Sequence, residues 1–175
     1  KGTVPVLELE EDILDESIDI MLWALNINDS EDILCPYREE KYFVLDTIKI
    51  FDLEFKYHLD RYKYSSRYIN EKDFLSREEH RSEGIKHLKS LQSILEKNNS
   101  KYLYKNKISF IDLALFPLVR QYKIADVSFF NENIDIKLVN IWLENLINAL
   151  FFKNIMYKYE VWNSDSSPVY FENSL

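Results

Sequence analysis

The sequence predicts a mostly helical protein with a short β-hairpin near its N-terminal end, and three observations predict it. The 175 residues include Gly 2 and Pro 4, only six turn-forming residues, where average usage would make them roughly 12% of the chain. Sandwiches and barrels need far more, so long helices are the default. Hydrophobic residues make up 46% of the chain, and a chain near this size buries roughly 68–70% of its unfolded surface. Apolar residues also recur at steps of three and four along most of the sequence.

Val4–Leu9 and Ile13–Leu14 are apolar segments flanking the acidic Glu10-Glu11-Asp12, which reads as a hairpin. Ser17 then opens a helix with Ile18, Met21, Leu22 and Leu25 on one face. Asn26 to Glu40 is polar, contains Cys35-Pro36, and reads as a linker. A long helix is expected from about Glu39 to Tyr64, with Val44, Ile48, Phe51, Phe55, Leu59 and Tyr62 along one face and Leu45, Leu53 and Tyr57 broadening it. Ser65 to Leu75 interrupts it.

Ser76-Arg77-Glu78-Glu79 fits a capping box, in which the hydroxyl accepts a free N–H and the glutamate reaches back. The helix it starts carries Leu88, Leu91, Ile94 and Leu95 and stops at Asn98-Asn99-Ser100. Ser109-Phe110-Ile111-Asp112 repeats the capping logic, with Ile108 and Leu113 placed for a hydrophobic staple. Its helix runs to about Lys123 and contains Pro117, which predicts a kink near Leu113–Leu115. Ile136, Val139, Trp142, Leu143, Leu146 and Leu150 mark another helix, and Phe152, Ile155, Met156 and Tyr159 a last one. The residues from Asn163 are polar.

The net charge of −8 argues against a nucleic-acid backbone or an anionic membrane surface as the main partner. One cysteine excludes an internal disulfide framework and fits a reducing compartment. No apolar run reaches the ~18 residues of a membrane span.

A hairpin and one helix cannot form a core, because an isolated hairpin is marginal in water. The N-terminal residues therefore read as the second half of a larger unit, and the chain opens on Lys1 rather than Met. Gly2-Thr3-Val4-Pro5-Val6-Leu7, followed by Glu16-Ser17 leading into a helix, resembles the second half of the thioredoxin-like domain of cytosolic glutathione transferases. Ser109-Phe110-Ile111-Asp112 with Leu113-Ala114-Leu115-Phe116-Pro117 resembles the capped core helix of their all-helical C-terminal domain. Trp142-Leu143-Glu144 and Met156-Tyr157-Lys158-Tyr159 look like bacterial members.

The resemblance implies a mostly α fold: a partial thioredoxin-like α/β unit (1–27), a linker (28–38), an all-helical C-terminal-type domain (39–163) and a tail (164–175). The N-terminal part would be incomplete. The resemblance implies further that Pro5 is cis, that Val4 offers its backbone to the cysteinyl part of glutathione, and that Glu16 and Ser17 hold its γ-glutamyl end. From the sequence alone, Pro5 reads instead as a proline at the start of an edge strand, and Ser17 as an N-cap.

The implied activity is transfer of the glutathione thiolate to a small electrophile, with glutathione as co-substrate, in a cytoplasmic homodimer that binds neither nucleic acid nor membrane. The family's thiol-activating Tyr, Ser or Cys follows its first strand, so no catalytic residue is assigned in this sequence. The alternatives are a non-catalytic interaction module of the same fold and a glutathione-dependent reductase.

Three other constellations read more simply as structure. Cys35-Pro36-Tyr37 resembles half of a glutaredoxin motif, but Arg38 stands where a second Cys would be. His80, Glu83 and His87 share a helical face at metal-ligand spacing, yet the surrounding charges read as a solvated face and no metal is expected. Asp60-Arg61-Tyr62-Lys63-Tyr64 reads as a charged helix end whose tyrosines pack their rings. Ser109 and Asp112 are expected to cap, with about 0.5–2 kcal/mol lost on removal of either.

Overall fold

The acidic segment does turn the chain: the Leu9 N–H donates to the Asp12 carbonyl at 2.8 Å, and the Ile13 N–H to Asp12 Oδ1 at 2.8 Å. In the computed structural model, which describes residues 4–71, 75–161 and 163–167, β1 (Leu7–Glu8) pairs antiparallel with β2 (Ile13–Leu14). Leu7 stands opposite Leu14 and Glu8 opposite Ile13. The first strand is shorter than its apolar run, and Pro5, with no N–H to give a ladder, lies before its start. Gly2, Thr3 and residues 168–175 of the expected tail lie outside the described residues.

Helix α1 (Ser17–Ile27) turns Ile18, Met21, Leu22 and Leu25 toward the core, as their spacing predicts, although none of its residues is fully buried. The polar stretch after it is packed rather than solvated. Asp29 accepts the N–H groups of Ile33 (2.6 Å) and Leu34 (3.1 Å) and pairs with Arg38. The Ile33 carbonyl accepts the Phe110 N–H at 2.8 Å. A short helix, α2 (Cys35–Glu39), follows with Cys35 and Pro36 buried.

The single long helix expected from Glu39 to Tyr64 is divided. It consists of α3 (Lys41–Ile50), a π-helical turn (Phe51–Phe55) and α4 (Lys56–Lys63). The predicted apolar face survives the interruption: Val44, Ile48, Phe51, Phe55, Leu59 and Tyr62 are all buried. At the π turn the Phe51 and Phe55 rings lie 4.9 Å apart, each edge-on to His87.

Helix α5 (Arg77–Asn98) begins at the predicted capping box. The Ser76 N–H donates to Glu79 Oε2 at 2.7 Å and the Glu79 N–H to Ser76 Oγ at 3.2 Å. It ends where Asn99 adopts φ 46°, the left-handed conformation that terminates helices. Helix α6 (Phe110–Ala125) continues through Pro117, whose ring is on the exposed side. At Gly84, α5 and α6 approach so closely that a Cβ would lie 2.5 Å from Tyr122 Cε2.

Helix α7 (Val127–Glu132) is capped by Asp126, whose Oδ1 accepts the Phe129 N–H at 3.0 Å. Helices α8 (Lys137–Asn148) and α9 (Leu150–Ile155) follow. The last helix stops short of its predicted span, leaving Met156 and Tyr159 exposed. Apolar spacing without a surface to pack against does not sustain a helix.

One carboxylate joins the centre of the bundle. Asp112 Oδ2 accepts the Ser109 N–H (2.9 Å) and hydroxyl (2.6 Å), while Oδ1 accepts the Leu103 N–H and Trp142 Nε1–H, both at 2.8 Å. Burial pushes the Asp112 pKa up, and its four donors pull against that shift. Because all four partners donate, the ionised form fits the site. Asp112 thus caps α6 and also ties the 100–108 loop to α8.

Candidate functional site

The residues singled out at the N-terminal end flank the β1–β2 hairpin in sequence, Val4 and Pro5 before β1 and Glu16 and Ser17 after β2. The ladder pairs Leu7 with Leu14 and Glu8 with Ile13. The Val4–Pro5 peptide is cis, as the resemblance implies. Val4 is 92% exposed, and Pro5, Glu16 and Ser17 are exposed as well.

The N-cap of α1 is Glu16, with extended backbone (φ −115°, ψ 135°), and its carbonyl accepts the Ile20 N–H at 3.1 Å. Ser17 is therefore the first helical residue and not the cap. A helix start directs backbone N–H groups and the positive end of the helix dipole outward. A carboxylate acceptor, a hydroxyl and a helix N-terminus thus follow β2 directly, and an exposed X–Pro backbone precedes β1. This set can hold a small zwitterion: Glu16 accepts from an ammonium, and Ser17 with the helix start donates to a carboxylate.

Cys35 sits elsewhere, between α2 and the 100–108 loop. Its thiol donates to Glu39 Oε1 at 3.4 Å, and Lys105 Nζ approaches Sγ at 3.4 Å. Lys105 also reaches both Glu39 oxygens (2.9 and 2.7 Å), and the Tyr104 hydroxyl donates to Glu39 Oε2 at 2.7 Å. Lys105, then Tyr104 and Cys35, hold the Glu39 pKa down to about 2. The adjoining Glu39 carboxylate, with burial behind it, pushes the Tyr104 phenol up to about 12. Burial pushes the thiol pKa up, with Glu39 adding to it, so Cys35 is not an activated nucleophile. It belongs to a clamp holding α2 against the loop.

Beside that clamp is a cavity of about 570 Å³ lined by Ile33, Ile108, Leu113, Tyr102, Lys107 and Phe151 among others. Both residues of the predicted staple, Ile108 and Leu113, open onto it. Lys107 is engaged by Asp32 at 2.8 Å and approaches the Glu31 carbonyl at 3.3 Å.

The predicted histidine face is not solvated as expected. His80 is only 1% exposed, and its Nδ1 meets His58 Nδ1 at 2.9 Å. Glu83 turns to Lys86 at 2.7 Å. Among the described residues, no group of three potential ligands could hold a metal ion. The partner that sequence reasoning missed is His58, one helix away. Its only sequence signal is that it lies one position before Leu59 of the buried stripe.

No helix among the described residues is long and apolar enough to cross a membrane. Residues 59–141, from the middle of α4 into α8, match the family model of the glutathione S-transferase C-terminal domain. No curated protein and no solved structure matches the chain. The matched stretch holds the α5 capping box, Asp112 with its Leu103 and Ser109 donors, and the α5–α6 contact at Gly84. Residues 59–141 of the helical part are thus similar to the C-terminal domain of glutathione S-transferases.

Proposed function

We propose that this chain belongs to a glutathione transferase that binds glutathione at the open end of the β1–β2 hairpin and transfers its thiolate to a small electrophile. What supports the reading is the cis Val4–Pro5 peptide before a hairpin that leads through Glu16-Ser17 into α1, ahead of residues that match the glutathione S-transferase C-terminal domain. Glutathione carries an ammonium and a carboxylate on its γ-glutamyl end, and Glu16 with Ser17 supplies one partner for each. The Val4 backbone, outside β1 and unlike a ladder strand, is placed to bond the peptide part of the ligand. A homodimer in the cytoplasm, as in the cytosolic family, completes this reading.

Charge-assisted hydrogen bonds of this kind contribute about 1.5–3 kcal/mol each, which corresponds to roughly ten- to a hundredfold in affinity. Ser17→Ala and Glu16→Gln in the full-length protein should each raise the glutathione Kd by that factor, read by titration calorimetry on variants with unchanged circular dichroism. Unchanged affinity in both variants would remove the site. A full-length wild type that does not bind glutathione at all would instead favour the non-catalytic interaction module.

A further inference from the structure

We propose that His58 and His80 form an acid-operated latch that holds α4 against α5 while both imidazoles are neutral. The proposal is independent of glutathione binding. It starts from a clustering: the chain has three histidines, and all three meet at the α4–α5 seam. The ring centroids of His58 and His80 lie 5.2 Å apart and those of His58 and His87 6.3 Å apart.

The hydrogen-bonding inventory of the pair admits one economical arrangement. The two Nδ1 atoms are 2.9 Å apart, so one donates and the other accepts. His80 Nε2 is buried without a partner. If His58 donated, neutral His80 would carry its proton on Nε2 and bury an unmatched N–H. If His80 donates, Nε2 is left as a bare acceptor, the less costly orphan. His80 is therefore the Nδ1–H tautomer, and His58 accepts at Nδ1 while carrying its proton on Nε2.

One further proton is costly wherever it lands, and a second breaks the bond, because both Nδ1 atoms then carry hydrogen. On His58 Nδ1 it opposes the His80 N–H, and the alternative His80 tautomer buries an orphan donor. On His80 Nε2 it creates a charge at a site 1% exposed. Neighbouring groups on every packed element are already engaged. From α4, Arg61 opposes protonation and is held by Glu71 through two bonds of 2.8 Å. From α5, Glu83 favours it but is paired with Lys86, and Glu79, which also favours it, is committed to the Ser76 cap. Glu54 of the π turn faces His87, opposed by Lys86. The Tyr57 ring lies against both His58 and His80. In agreement, burial lowers the pKa of all three histidines below 6.5.

At the same seam Tyr62 of α4 is fully buried, with Arg81 of α5 close to its hydroxyl. The π turn just before α4 interrupts the α-helical hydrogen-bond register between α3 and α4. Loss of the His58–His80 bond thus removes a polar tie between α4 and α5.

The sign of the pH dependence follows. Well above about 6.5 neither the folded nor the unfolded chain binds a histidine proton, and stability is flat. As pH falls below 6.5 toward the folded-state values, the unfolded chain takes protons that the folded one refuses. Each such proton changes the unfolding constant about tenfold per pH unit. The test is imidazole ¹⁵N NMR on the full-length protein from pH 7.5 to 5, with amide exchange followed in α4 and α5. Expected are the Nδ1–H tautomer at His80, the Nε2–H tautomer at His58, titration of both below 6.5, and faster amide exchange in α4 as they titrate. Denaturant titration should show His58→Gln flattening the pH dependence of the unfolding constant by about tenfold per pH unit below 6.5. Independent titration of both rings near 6.5, or α4 amides indifferent to it, overturns the latch. So does a His58→Gln variant with the wild-type pH dependence. If that variant does not fold, the tautomers and exchange rates of the wild type decide alone.

Discussion

Helices α6 and α1 show how differently two parts of this chain are held. Of the 16 residues of α6, eight are buried, including Phe110, Asp112 and Tyr122. Of the 11 residues of α1, none is, although four lean on the core. The hairpin before it contributes two residues per strand, with Ile13 62% exposed. Stability scales with apolar area removed from water, so the helical domain supplies nearly all of it. The lesson is that, among the described residues, α1 leans on the core, and neither it nor the hairpin contributes to its buried interior.

The contrast can be broken most severely at Asp112. Asp112→Ala leaves the N–H groups of Leu103, Ser109 and Trp142 without their acceptor, and a loss of about 3–5 kcal/mol is expected. This exceeds the cost of a simple cap, because the carboxylate also joins α8 and the 100–108 loop. Chemical denaturation measures it directly, and a loss below about 1 kcal/mol would mean that the knot is only a cap.

A smaller effect is expected at Gly84. Alanine favours a helix by about 1 kcal/mol over glycine, but its Cβ would meet the Tyr122 ring at 2.5 Å. That ring cannot retreat: its hydroxyl donates to the Arg81 carbonyl at 2.6 Å, and it lies against Tyr62 and Phe55. Gly84→Ala should therefore destabilise by about 1–3 kcal/mol, the usual range for an overpacked core. A stabilised variant would show that α5 and α6 can slide apart.

The smallest effect sharpens the other side of the comparison. Ile13→Ser, on the exposed face of β2, should change the unfolding free energy from denaturant titration by less than about 0.5 kcal/mol. A loss several times larger would show that the hairpin shares in the core.

What could be read in the sequence was what local rules encode. The Ser76–Glu79 box and the Ser109–Asp112 pair are patterns within four residues, and both formed. The buried stripe from Val44 to Tyr62 was visible because its spacing survives the π turn, while the turn itself was not, since Phe51–Phe55 fits an ordinary helix equally well. The cis bond before Pro5 was legible only through the V-P-V motif and its resemblance. Through-space partners left no trace: nothing near His80 announces His58, and nothing near Asp112 announces Trp142. Met156 and Tyr159 misled for the opposite reason, having the right spacing but standing exposed outside the core.

The Asp112 knot has a further consequence for how the chain finds its fold. Its most distant partner, Trp142, is 30 residues away in sequence, whereas the Tyr104–Glu39 bond that fastens α2 spans 65. Closing the longer loop costs about 0.7 kcal/mol more chain entropy. The knot draws together α6, its preceding loop and α8 with neighbours close along the chain, a pattern of low contact order that favours rapid assembly. The helical half can thus complete its centre without waiting for the N-terminal strands.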